Sequence, residues 1–199
     1  MSAWLKLIIF GFFGYLSGSM AFAIWITRLL KGVDVRKAGS GHATATNTFR
    51  QTGIAAGLLV LLLDIAKGFI PTYLAIRYGG LIWIAALTAG LAVVGHCWPL
   101  WAGFRGGMGL ATAGGTILAA SPLGFVICLG VLVALTLILR HSARASAIAG
   151  LLLPLVLWLF QLDTQAVLVS GAAGLVISLR FLRDWSREYR ELWLDRDEL

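Results

Sequence analysis

The sequence predicts an all-α integral membrane protein, a bundle of about seven transmembrane helices without β-sheet, on three observations. Apolar residues make up 59% of the chain and charged residues only 13%, against about 45–50% and about 25% in soluble domains. Several uncharged runs are long enough to cross a hydrocarbon layer of about 30 Å. The basic residues, finally, fall almost entirely on one side of an odd number of crossings.

Taken in order, the first apolar run covers Trp4–Leu30. It exceeds the apolar core of a signal peptide and carries no charged leader beyond Lys6, so it is expected to stay as a helix. Gly14 and Gly18 give it a small-residue face for close packing. The second run, Ile54–Tyr78, closes at Gly79-Gly80, and the third spans Leu81–Leu100. The fourth, Leu110–Ala120, falls short of the ~17 residues of a full crossing, which makes it short, tilted or re-entrant. Leu123–Leu139 follows a Ser121-Pro122 break, then come Ser146–Phe160 and Ala166–Leu179. Seven spans are expected, with five or six as the alternatives. Cys97 and Cys128 both lie inside apolar runs, so they are read as packing residues rather than a disulfide or zinc site.

Residues 1–180 are thus expected to form one polytopic domain, with 181–199 as a tail. There Leu182, Trp185, Tyr189 and Trp193 recur at helical spacing, and Arg183, Arg187, Glu188, Arg190 and Glu191 fill the other side. That pattern suits an amphipathic helix on the cytoplasmic surface, the alternative being a solvated tail.

Orientation follows from charge. With the N-terminus outside, Lys31–Gly53, Trp101–Gly109, Arg140–Ala145 and the tail from Arg180 face the cytoplasm. Of the sixteen Lys and Arg, all but Lys6, Lys67 and Arg77 then lie on that side or at its edge, as the positive-inside rule requires. Trp4, Trp83 and Trp158 fall near the outer interface and Trp25, Trp98 and Trp101 near the inner one. The net charge of +7 therefore reflects topology and contact with anionic lipid, and needs no nucleic acid partner.

Chemistry is sought where polarity is out of place. Asp64 and Lys67, spaced to pair on one helix face, and His96 interrupt otherwise apolar runs. Each can be structural: an ion pair tying helices, a hydrogen-bonded packing histidine. Lys67 could also reach an anionic ligand near the inner end.

Two loops are richer. The first, Asp34 to Arg50, concentrates small residues, hydroxyls and cations: Arg36, Ser40, Gly41, Thr46, Asn47 and Arg50 among them. Small residues let backbone N–H groups approach an anion, hydroxyls donate to its oxygens, and arginine offers a planar fork. Composition does not separate such a phosphate cradle from a flexible loop whose cations only set topology. The second loop, Gly103-Phe104-Arg105-Gly106-Gly107-Met108-Gly109, runs into the fourth helix, whose start favours an anion. Its glycines could equally make a tight turn. The G-x-x-x-x-G-K-[ST] spacing is absent, which disfavours nucleotide hydrolysis.

In order and spacing these segments resemble the PlsY-type acyl-phosphate:glycerol-3-phosphate acyltransferases, whose loops carry G-S-G-N-x-G-A-T-N-x-x-R, D-x-x-K-G-x-x-P and G-H-x-x-P ahead of [KR]-G-G-K-G-x-A-T. The counterparts here are Gly39 to Arg50, Asp64-Ile65-Ala66-Lys67-Gly68-Phe69-Ile70-Pro71, and Gly95-His96 through Pro99 to Arg105-Gly106-Gly107-Met108-Gly109-Leu110-Ala111-Thr112. Ser146 matches a further family serine. The departures are His42 for an asparagine, Thr44 for a glycine and Met108 for a lysine. Arg180-Phe181-Leu182-Arg183-Asp184 stands where the family has an Arg-His-Arg-Glu-Asn-type sequence, so a histidine is replaced by Phe181. Arg105, Arg140 and Arg183 are the cations expected to compensate.

The resemblance implies transfer of a fatty acyl group from acyl phosphate to the 1-hydroxyl of glycerol 3-phosphate, giving lysophosphatidic acid for phospholipid synthesis, with no metal or cofactor. It implies a multi-pass protein of the bacterial inner membrane with a cytoplasmic site, served by an acyl-phosphate-producing enzyme. Ser40, Asn47, Arg50 and His96 become the expected catalytic residues. Arg36, Gly41, Thr46, Lys67, Arg105, Gly106, Gly107, Gly109 and Thr112 are expected to bind substrate. Two rival readings remain. A non-catalytic or altered-acceptor paralogue is suggested by Met108 and Phe181. A small transporter is disfavoured because the outer halves of the helices hold almost no ionisable residues beyond Lys6, Arg77 and Asp163.

Overall fold

The computed structural model describes residues 2–188. Among them every regular element is helical: α1 (Ala3–Gly18), α2 (Phe22–Lys31), α3 (Ala45–Thr52), α4 (Ile54–Tyr78), α5 (Ile82–Cys97), α6 (Leu110–Ala120), α7 (Pro122–Leu139), α8 (Ser142–Leu159) and α9 (Thr164–Phe181), with short 3₁₀ turns between. Helix starts are capped by the residues the sequence offers: Thr44 for α3, Ser121 with Pro122 for α7, and Asp163 for α9 each accept a backbone N–H.

Six helical runs are long and apolar enough to cross a membrane, taking α1 and α2 together as one. The fourth expected span, α6, is the exception: its 11 residues reach only roughly 16 Å. It is therefore a half-length element. Even so the chain runs from one end of the bundle to the other. Lys6 lies beside Gly80, past the end of α4, whereas Arg187 reaches Ser40, in the loop that precedes α3.

The small residues decide where helices touch. Gly14 and Gly18 of α1 lie against the backbone of Thr88 and Ala92 in α5, Gly68 of α4 against Thr112 of α6, and Gly150 of α8 against Gly174 of α9. In α7, by contrast, only Gly124 and Cys128 are buried. Its Leu123, Val126, Val133, Leu137 and Ile138 face outward, as a helix on the lipid-facing rim must. Cys97 and Cys128 are both free and buried in apolar clusters.

Two differences from the sequence expectation matter for the site. The run Trp4–Leu30 is not one helix; it breaks at Ser19–Ala21. Gly18 is pressed onto Ala92, and the Lys67 ammonium of α4 donates to the freed carbonyl of Met20 at 2.8 Å. Ser17 completes the tie by donating to the Lys67 carbonyl at 2.9 Å. Unwound backbone at this depth survives only where protein groups satisfy it, as here. The first loop, secondly, contains the helix α3, and α8 begins at Ser142 rather than Ser146. Of the tail, only residues up to 188 are described; Trp185 ends a 3₁₀ turn, and Tyr189 to Trp193 lie outside the described residues.

Candidate active site

The two glycine-bearing loops fold onto each other. Asn47, fully buried, donates from Nδ2 to the carbonyls of Val35, Ala38 and His42 at 2.8, 3.1 and 3.0 Å, and Gln51 repeats two of those contacts. Asn47 thus moulds the first loop from inside. Arg36 binds Asp34 at 2.7 Å and donates to the carbonyls of Ala102 and Arg105 at 2.8 and 2.9 Å, which pins the first loop to the second. Ala43 adds a backbone bond to the Gly106 carbonyl at 3.5 Å.

That clamp depends on charge. The Arg36 guanidinium beside Asp34 holds its carboxyl well below the usual carboxylate range, with Arg28 assisting. Asp34→Asn should therefore lower stability by about 1–2 kcal/mol at neutral pH. A carboxyl with a depressed folded pKa stabilises above its unfolded value near 3.9 and loses that contribution as pH falls toward the folded value. Thermal melts of wild type and variant should accordingly be fully separated above about pH 5 and draw progressively together as the pH falls below about 4 toward the folded value.

Beneath the loops lies a buried polar group. Asp64 and Lys67 are 2.8 Å apart with side chains 2% and 4% exposed. His96 Nδ1 lies 3.1 Å from the Thr112 hydroxyl and 3.6 Å from Asp64. The other ring nitrogen, Nε2, is covered by Gly107, and Arg180 donates to the Gly107 carbonyl at 3.2 Å. Gly109 starts α6 with a φ of +89° and lies within the crowded space of Val93, Cys97 and Ile177, so both its backbone and its surroundings call for glycine.

Beside this assembly opens a cavity of about 520 Å³. Its first wall is Ser40, His42, Thr44, Thr46 and Arg50 from the first loop and α3; its floor holds Asp64, His96, Met108 and Gly109. Ser142 and Ser146 of α8 and Phe181, Asp184 and Arg187 at the end of α9 close the far side. Leu110, Gly114, Phe125, Leu129, Leu132 and Ser146 also line a second, apolar cleft of about 80 Å³ that runs on between α6, α7, α8 and α9 past Ile117, Cys128 and Leu153. A polar chamber thus leads into a greasy slot.

Of the residues expected from sequence, Ser40, Thr46, Arg50, His96 and Gly109 line the chamber. Arg36, Gly41, Asn47, Lys67, Arg105, Gly106, Gly107 and Thr112 do not; they build its frame or lie outside it. The expected compensating cations are elsewhere too. Arg105 is exposed, Arg140 ends α7 with a left-handed backbone, and Arg183 lies over the Trp98 ring at 5.8 Å. Asp184, read from sequence only as the end of a segment departing from the family pattern, and Arg187, read as a tail residue, instead sit on the wall. An i, i+3 acid–base pair directly after the last span was the available signal.

Fold and chamber together define an integral membrane protein that brings a cation-bearing polar cavity against an apolar slot reaching toward lipid. The family model for glycerol-3-phosphate acyltransferase matches residues 8–191, and the chain belongs to that family. A Listeria monocytogenes glycerol-3-phosphate acyltransferase is 36% identical over 180 residues, covering 88% of this chain and 89% of the relative. One from Thermotoga maritima is 42% identical over 142 residues, covering 71% and 72%. Crystal structures of PlsY (YgiH), an integral membrane glycerol 3-phosphate acyltransferase, align with TM-scores of 0.78 for its glycerol 3-phosphate form and 0.77 for its lysophosphatidic acid form. At 35% and 34% identity, each alignment covers 91% of this chain and 90% of that one.

Proposed function

We propose that this protein transfers a fatty acyl group from acyl phosphate to the 1-hydroxyl of glycerol 3-phosphate, releasing lysophosphatidic acid and phosphate. The observation that carries it is the continuity of the Arg50-bearing chamber with the apolar cleft between α6 and α9. One compartment suits two phosphates, the other an acyl chain entering sideways from the bilayer.

An acyl phosphate is already activated, so the protein's task is chiefly positioning and charge stabilisation. The acceptor hydroxyl attacks the acyl carbonyl, the new ester C–O bond forms, and the bond to phosphate breaks. Arg50 and the hydroxyls of Ser40, Thr46, Ser142 and Ser146 neutralise and orient the anionic groups. The departing phosphate takes the hydroxyl proton, which balances the transfer. His96, held by Thr112 and Asp64 and roofed by Gly107, acts as a positioning residue in this reading. Arg36 and Asn47 do the same for the first loop. The chamber faces the cytoplasm of a bacterial inner membrane, with the N-terminus outside, residues 1–180 as one membrane domain and the 181–199 tail on the inner surface. An acyl-phosphate-producing enzyme supplies the donor.

Purified protein given acyl phosphate and glycerol 3-phosphate should release phosphate, and Arg50→Ala should reduce that rate about 100-fold or more. Release no faster than in the variant would count against catalysis. A second reading, a non-catalytic or altered-acceptor paralogue, draws support from Met108 packing against the apolar cluster that contains Phe181. It predicts a chamber that binds acyl phosphate but yields no lysophosphatidic acid.

A further inference from the structure

A phosphate monoester carries close to two negative charges, and a chamber that holds one beside a second phosphate needs more than a single cation. The Lys and Arg side chains that the described residues bring to its walls are Arg50 and Arg187. One comes from α3 and the other from just beyond α9. Met108, on the floor, adds no charge there and packs against the apolar cluster that contains Phe181.

Arg187 is held in a fixed pose. Its Nη2 donates to the Ser40 carbonyl at 3.0 Å, and Nη1 lies 3.4 Å from both the Asp184 carboxylate and His42 Nδ1. Asp184 in turn lies 3.6 Å from His42 Nε2. The contact of Arg187 with Asp184 is much looser than the 2.7 Å pair of Arg36 and Asp34. At the cavity wall such a guanidinium presents its charge to an anion in the chamber.

We propose that Arg187 is a second phosphate anchor, binding the acceptor's phosphate together with Arg50 and supplying charge on a wall that Met108 and Phe181 leave apolar. Asp184 and His42 position its guanidinium, and the same side chain ties the C-terminal segment to the Ser40 loop. This assignment rests on the acyl-transfer reading for its substrate, and its test is chosen to part the two.

Binding of glycerol 3-phosphate to purified protein is measured by calorimetry, alongside steady-state phosphate release. Arg187→Ala should raise both Kd and KM for glycerol 3-phosphate by about tenfold or more, with kcat within about threefold and KM for acyl phosphate unchanged. Arg187→Lys should keep most of the binding. Adding Met108→Lys to Arg187→Ala should recover at least about threefold of the lost affinity, because it returns a cation to the same chamber. Should the alanine variant fold poorly, Met108→Lys in the unaltered chain is expected to tighten binding about threefold. An unchanged Kd in Arg187→Ala, or a loss of kcat alone, overturns the assignment and leaves Arg187 as a strap on the Ser40 loop. Binding that depends on Arg187 in a protein releasing no phosphate supports the anchor while sinking acyl transfer. Wild type that fails to bind glycerol 3-phosphate sinks both.

Discussion

Lys67→Met is expected to destabilise the protein by about 3–5 kcal/mol, because it strands a carboxylate inside the bundle. Asp64 is 2% exposed on its side chain, and its short contact to Lys67 is the main compensation for that burial. Lys67 also donates to the Met20 carbonyl that α1 leaves open where it ends, so the variant orphans a partly buried acceptor as well. In detergent solution the melting temperature should fall by about 10 °C. Asp64→Asn introduced on top should recover a substantial part of the loss, since a neutral amide no longer needs the ammonium. A double variant no better than the single one would show that Lys67 acts through Met20 and not through Asp64. The pair's place explains its value to function: Asp64 lies on the chamber floor, 3.6 Å from His96, whose ring nitrogen also meets the Thr112 hydroxyl.

Gly107→Ala is expected to lower acyl transfer by at least about 100-fold while leaving helical content intact. A Cβ there would occupy the space of His96 Nε2 on one side and the Ala43 carbonyl on the other. Neither can yield cheaply: the ring is held through Nδ1, and Ala43 belongs to the loop that Asn47 and Arg36 brace. The added methyl therefore pries the two loops apart and opens the chamber. Gly130 provides the contrast, since nothing lies within 4 Å of a Cβ at that position in the lipid-facing helix α7. Gly130→Ala should leave activity unaltered and stability equal or slightly raised. Phosphate-release assays and circular dichroism on both variants decide it; similar activity in the two would mean that close loop contact is not required.

Much of the architecture was legible because transfer of apolar residues from water to lipid is a nearly additive property of a run of sequence. Ile54–Tyr78 has the same bounds in sequence reading and structure, and Leu110–Ala120 is as short as its composition said. The kinship of the loops was legible too, since glycines, hydroxyls and cations at fixed spacing survive as a pattern. The break in the first span was not. Nothing in Ser19-Met20-Ala21 demands it; Ala92 and Lys67, distant in sequence, impose it. The roles within the loops were equally hidden, since Arg36 and Asn47 have side chains suited to a ligand and spend them on backbone carbonyls.

By itself, then, the sequence determined that this chain lives in a bilayer, how its apolar runs are spaced, and that two polar loops carry the family's residue pattern. Only the tertiary structure decided which of those polar groups face the chamber and which frame it. Arg187 and Ser40, 147 positions apart, meet because packed helices bring their ends together. Local composition carries no record of that contact, since its geometry belongs to the packing of the whole bundle.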